Sequence, residues 1–372
     1  MAEHQYTLEE VIELLSYQPE TLIKTMIKIK GPPSPPSPLL FTVSWERLSS
    51  LGHLDRLPPE LMYYVLDDLD FQSLANLARV SSRANTLVES CFKFQDILSR
   101  VPEVPIALRK LGLGDLHSVS ELYATMRAQK CANCSQFGAF LFLPTNERCC
   151  WRCLRNDPNF RVIPHDQVRQ YFGLSTGQLK ELPTLKPISG TYGIWNDEVP
   201  DCSLVSVKAA KELAIKVHGS EDNLVQVMEE SCKNAALVST GRFFMGEEAL
   251  RGKDLRPIPN PGHIPIDTFS GVASMPFPHL TRDQEFEDGL WCRGCEATNL
   301  KNDKGSVPHS VLNALVPRGR VASHALLGLE RRARSRKAFL RHLRQCYGAR
   351  QIIPSLGAIQ SRPAAGTPYG HT

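Results

Sequence analysis

Apolar positions recur at helical spacing along most of the chain, and the one stretch that reads as a strand is AFLFLP at 139–144. Leu8, Val11, Ile12 and Leu15 fall on one face, the pattern of an amphipathic helix packed on a neighbour. Thr7 and Glu10 have capping-box spacing, in which each side chain satisfies a backbone N–H at the helix start. Pro19 ends that segment, and Leu22, Ile23, Met26 and Ile27 suggest a second short helix, so residues 1–30 are expected to be N-terminal helices. GPPSPPSP at 31–38 cannot supply ladder donors and prefers an extended polyproline conformation. Residues 31–50 therefore read as a stiff, proline-rich linker, although two P-x-x-P registers there suit proline-groove domains.

Residues 54–98 read as three short helices. Pro58 and Pro59 suit a helix entry, where a missing N–H would be unpaired anyway. Leu61, Val65 and Leu69 recur at i+4 with Met62 and Leu66 beside them. Asp70 is placed to cap a second helix carrying Leu74, Leu77 and Ala78; Ser81 or Ser82 is placed to cap a third carrying Ala84, Leu87, Val88 and Cys91. Further helices are expected from Ser118 or Ser120 toward Lys130, after Tyr171, and over 206–220 with Val207, Ala210, Leu213, Ala214 and Val217 as its stripe. The fold expectation is mainly α with a small β component, strands gathering around 137–149.

With 372 residues and 42% apolar composition, two or three domains with real cores are affordable in surface terms. The net charge of +4 is unevenly spread: between Arg318 and Arg350 there are ten Lys/Arg and one Asp/Glu, leaving a mildly acidic remainder. No run approaches the roughly 18 apolar residues of a membrane span, and MAEHQYTLEE lacks the basic start of a secretory signal. Eleven cysteines, an odd number in that context, point to a reducing compartment, cytoplasm and/or nucleus, where thiols stay free or bind metal.

The thiols are where chemistry concentrates. Cys131 and Cys134, then Cys150 and Cys153, form two C-x2-C pairs separated by 15 residues, the spacing of structural Zn2+ sites. Two intervening residues let a tight knuckle present both sulfurs to one ion, and two knuckles close a tetrahedron. Cys149 is an alternative ligand to Cys150, or a buried thiol. A nucleophilic Cys149 or Cys153 would need a base, and no histidine partner signature accompanies them. LWCRGC supplies another knuckle, Cys292 and Cys295, and FLRHLRQC places His342 and Cys346 at i and i+4 after a gap of 46 residues. Read as one helix, those last two share a face, giving a second Zn2+ set with His309 and His324 as alternative ligands. Arg331, Arg332, Arg334, Arg336, Lys337, Arg341 and Arg344 fall on the same expected helix. The open readings for them are an import signal, a phosphate-contacting surface, or a solvated face. Only Phe339 and Tyr347 lie nearby to stack on bases, so sequence-reading nucleic-acid binding is poorly supported. GLGD at 112–115 lacks the third glycine of a phosphate loop.

Residues 54–98 resemble the F-box, which docks onto the Skp-type adaptor of cullin ubiquitin ligases. The matching residues are Leu57-Pro58-Pro59-Glu60-Leu61, Val65-Leu66-Asp67-Asp68-Leu69, Leu74, Leu77, Val80 and Leu87; Ala84 stands where the family usually carries Trp. The resemblance implies that Leu57, Pro58, Pro59, Leu61, Leu66, Leu74 and Leu77 lie at or beneath the adaptor contact. C-x2-C, FGAFLFLP, CCWRCL, YFGLS with LPTL, GLWCRGC and AFLRHLRQC extend the likeness to fungal F-box proteins with a cysteine-rich, zinc-ribbon-like region, over roughly 50–350. It implies a non-enzymatic, substrate-recruiting adaptor subunit of a Skp–cullin–F-box ligase, bound through the Skp-type adaptor to a cullin and taking an unidentified protein substrate. The expected order is N-terminal helices (1–30), linker (31–50), three-helix F-box bundle (51–99), an irregular zinc-stabilised α+β region with one or two sites (100–350) and a flexible tail (351–372). The competing reading is a zinc-containing nucleic-acid binder using a basic helix at 318–350.

Overall fold

The computed structural model describes residues 6–29, 50–193, 196–246 and 264–353. The linker expected at 31–50 lies outside them but for Ser50, as does the tail beyond Ile353. The chain is mostly helical with small antiparallel sheets. Among the described residues no helix is long and apolar enough to cross a membrane. These residues divide into two compact units, one between Glu20 and Asp288 and one formed by residues up to Pro19 with those from Gly289 onward.

In the first unit, helices Pro59–Asp68, Phe71–Ala78 and Ser82–Glu89 form a bundle continued by Phe92–Arg100, Glu103–Leu111 and Val119–Arg127. Each start has local chemistry behind it. Asp70 accepts from the Ser73 N–H, Ser81 from Ala84, and Ser118 with Glu121 makes a full capping box. The first helix departs from the expected stripe: Met62 and Leu66 are buried, whereas Leu61 and Val65 face solvent. Both sets have helical spacing, so periodicity alone could not say which face the neighbours would cover.

Beyond the bundle, Phe140–Phe142 pairs antiparallel with Glu147–Cys149 on one side and Ser274–Pro276 on the other. A second sheet orders Val162–Pro164, Leu204–Ser206 and Thr184–Leu185 with Leu204–Ser206 central. Helices His165–Phe172, Val207–His218, Glu221–Ser231 and Ala235–Met245 enclose a core that includes Val168, Phe172, Ala210, Ala214, Leu224, Met228 and Phe243. Val217, expected on that stripe, is exposed. Gly173 ends His165–Phe172 with φ +63°, a left-handed conformation open to glycine.

In the second unit, helix Leu8–Leu15 carries the expected Thr7–Glu10 capping box and runs into strand Ser16–Tyr17. That strand pairs antiparallel with Trp291–Cys292. Helices Arg293–Asp303, His309–Leu315, Ala322–Glu330, Arg336–Leu343 and Tyr347–Ile352 follow. Val11, Ile12 and Leu15 pack in one core with Cys292, Cys295, Phe339, Leu343, Cys346 and Ala349.

The single basic helix expected over 318–350 is not there. Ala322–Glu330 stops, Arg334 forms an antiparallel bridge with Leu290, and the Ser335 hydroxyl caps a new helix at the Ala338 N–H. That helix ends at Leu343, so His342 and Cys346 are not on one continuous helix; Cys346 sits at the entry to Tyr347–Ile352. Backbone pairing with Leu290, remote in sequence, overrides helical propensity between Arg331 and Ser335.

Candidate functional site

Two groups of metal-competent side chains assemble, and they are the two expected ones. The ligand atoms of Cys131, Cys134, Cys150 and Cys153 lie within 4.8 Å of one another, as do those of Cys292, Cys295, His342 and Cys346. A tetrahedral ion at about 2.3 Å from each sulfur sets its ligands about 3.8 Å apart, so each group could hold one ion.

The first group is built by a hairpin. Phe140–Phe142 and Glu147–Cys149 bring the second knuckle back to the first, with Phe140 opposite Cys149. Adjacent strand residues point to opposite sides. Cys150 accordingly joins the group while wholly buried Cys149 does not, and burial pushes the Cys149 thiol up. Cys150 precedes helix Trp151–Asn156 and its sulfur accepts from the Cys153 N–H at 3.5 Å. Cys134 and Cys150 sulfurs approach to 3.4 Å. Mutual hydrogen bonding divides the group: Cys131 and then Cys150 hold the Cys134 thiol far below the ordinary thiol range, while Cys131 and Cys134 push the Cys150 and Cys153 thiols above it. Asn133 donates to Asp157 and lies 3.6 Å from the Cys153 sulfur, an outer shell of the kind that orients ligands.

A buried arginine pins this hairpin. Arg148 donates to the carbonyls of Thr125, Met126, Gly138, Phe277 and Pro278, at 2.6 Å for Gly138 and Pro278. Burial brings its guanidinium down to about 9, still charged at neutral pH. Its side chain would clash with any Cβ at Gly138. Sequence reading missed Arg148, because nothing local marks an arginine as buried.

The second group rests on a close helix crossing. Cys292 precedes helix Arg293–Asp303, which carries Cys295 on its first turn. The Cys292 and Cys346 sulfurs are 3.7 Å apart, and Cys295 Sγ lies 3.2 Å from His342 Nε2. Gly294 and Gly348 meet where Arg293–Asp303 crosses Tyr347–Ile352; a Cβ on Gly348 would fall 1.8 Å from the Gly294 carbonyl oxygen. Hydrogen bonding from Cys292 and then Cys295 holds the Cys346 thiol far below its usual range. Buried Arg334 turns a guanidinium N–H toward Cys295 Sγ at 3.9 Å. His309 and His324, the alternative ligands, join neither group.

The sequence-assigned adaptor residues separate by burial. Leu66 and Leu74 are core, Leu57 and Leu77 half-buried, and Pro58, Pro59 and Leu61 exposed. Apolar side chains outside that assignment are also in solvent, among them Tyr64 at 73%, Val65 at 46% and Val80 at 76% exposure. Leu61, Tyr64 and Val65 stand at i, i+3 and i+4 on one helix face. Monomeric domains seldom leave such side chains uncovered side by side. The phase opposite Met62 and Leu66 was the available signal.

Residues 54–96 match the F-box domain family. No curated protein and no solved structure matches the chain. The F-box supports a role as an adaptor in Skp–cullin–F-box ligases, in which F-box domains generally bind the Skp-type adaptor and proteins carrying them are generally non-enzymatic.

Proposed function

We propose that this chain is the substrate-recruiting subunit of a Skp–cullin–F-box ubiquitin ligase, holding the Skp-type adaptor through Leu57, Pro58, Pro59, Leu61, Tyr64 and Val65. Leu66, Leu74 and Leu77 shape that face from beneath. The carrying observation is an uncovered apolar helix face on the bundle that matches the F-box. The chain itself makes no bonds; it raises the local concentration of a protein substrate beside the ligase's charged ubiquitin carrier.

Both metal groups hold Zn2+ as structure. Thiolates and imidazole are its preferred donors, and four protein ligands leave no open position for a reacting water. Cys131, Cys134, Cys150 and Cys153 take one ion, and Cys292, Cys295, His342 and Cys346 the other. Two charges on zinc against three thiolates leave the second set negative, and Arg334 beside Cys295 offsets it. None of the eleven cysteines is in a disulfide, which suits the reducing conditions of cytoplasm or nucleus.

Capture of purified Skp-type adaptor by the full chain tests the reading. Wild type is expected to bind, and Leu61→Asp with Val65→Asp to lose binding while melting is unchanged, since both side chains already face water. Failure of wild type to capture the adaptor refutes it.

A further inference from the structure

Helix Arg336–Leu343 carries a stripe of charge that the adaptor reading leaves unused. Its inner side is fixed by Phe339 and Leu343 in the core and His342 in the metal group. Lys337, Arg341 and Arg344 are exposed. At 100° per residue they fall within an arc of about 60° on the outer side. Arg344 keeps helical dihedrals as the cap, so the stripe runs unbroken to the helix end. Arg350 extends it: this exposed guanidinium reaches back to donate to the Arg344 carbonyl.

None of these four makes an ion pair within the described residues. Arg336, by contrast, points to the other side, to Glu9. Like charges at i+3 and i+4 repel, so the stripe is a local strain on the helix that an acidic occupant would relieve. From residue 289 onward the sequence has fourteen Lys/Arg and three Asp/Glu.

We infer that this stripe docks an acidic peptide segment of the recruited protein, in extended conformation with carboxylates at alternate positions. This rests on the recruiting role proposed above. Cationic steps of about 6 and 4.5 Å along the helix are shorter than the repeat of about 6.6 Å between same-face side chains of a strand, a difference that the long Lys337, Arg341 and Arg344 side chains can span by splaying. Nucleic acid fits less well. Base recognition by stacking needs free aromatic faces; of the two aromatic side chains beside the stripe, Phe339 is buried and Tyr347 is half-buried.

The test is fluorescence anisotropy on the full chain at low salt. The probes are a labelled twelve-residue peptide with Glu at alternate positions, its Gln counterpart and an oligothymidylate of equal charge. The Glu peptide is expected to bind, to weaken as salt rises, and to lose at least about tenfold in affinity on combined Lys337→Glu, Arg341→Glu and Arg344→Glu. The Gln peptide should not bind. Because those changes flank His342, the corresponding triple Gln variant is run beside them, and zinc content and adaptor capture are measured on both. Reversal of exposed Arg318 should leave peptide binding unchanged. No binding of the Glu peptide to wild type, equal binding by a zinc-loaded triple Gln variant, or tighter binding of oligothymidylate each overturns the inference. Adaptor capture stays intact in all three cases if only the docking surface is misassigned, and fails in wild type if the recruiting role is wrong.

Discussion

Gly348→Ala sets two physical effects against each other. Gly348 lies inside helix Tyr347–Ile352, where alanine is favoured over glycine by roughly 1 kcal/mol. Propensity alone therefore predicts a more stable protein. The new Cβ, however, would stand 1.8 Å from the Gly294 carbonyl oxygen and 2.6 Å from both its carbonyl carbon and Thr298 Oγ1. Real Cβ contacts are not made under 3.0 Å, so the helices must part by at least 1.2 Å. Metal–ligand distances hold to about 0.2 Å, and Cys346 and Cys295 each lie next to this crossing, two and one residues from its glycines. Backbone cannot swing aside as a flexible side chain would. Overpacking of this kind costs about 1–3 kcal/mol before any loss of the ion, which outweighs the gain in propensity. The expected result is a lower melting temperature and faster transfer of zinc to a competing chromogenic chelator. Gly177→Ala is the control. It sits in helix Thr176–Leu179 with nothing nearer its Cβ than Ser175 Oγ at 3.9 Å, and should be neutral or mildly stabilising. A Gly348→Ala protein that melts at or above wild type and keeps its zinc would refute the reasoning.

Two further outcomes follow from the packing. Leu74 is 0% exposed, so Leu74→Ala should destabilise the bundle by about 2–5 kcal/mol in denaturant titration, unlike the surface changes at Leu61 and Val65; a loss under 1 kcal/mol would place Leu74 outside the core. Cys346→Ser should strip the second ion and, with it, the floor on which Val11, Ile12 and Leu15 rest. An eight-residue helix does not persist alone, so amide exchange over residues 8–17 should rise sharply while residues 59–127 stay protected; unchanged protection at 8–17 contradicts this.

What could be read from the sequence was local chemistry. Caps at Thr7, Asp70, Ser81 and Ser118 were visible because donor and acceptor lie three residues apart. The first metal-competent group was visible because a knuckle needs two sulfurs at fixed short spacing. His342 and Cys346 were reached through a single-helix reading that the structure does not keep, although both join Cys292 and Cys295. Pairings made at a distance were hidden. Strands of two or three residues, such as Val162–Pro164 and Thr184–Leu185, are too short to show alternation. Ser274–Pro276 completes a sheet whose other strands lie some 130 residues earlier, and Ser16–Tyr17 finds its partner at Trp291–Cys292. The bridge between Leu290 and Arg334 broke a helix that propensity favours, and moved Arg334 from an expected basic face to a buried place beside Cys295.

Elemental analysis of the purified full chain, with melting before and after chelation, tests the central claim most directly. The account predicts two zinc ions per chain, one for each ligand set, and a melting transition that falls when they are removed. Folded protein with no bound zinc, whose transition ignores the chelator, would contradict it.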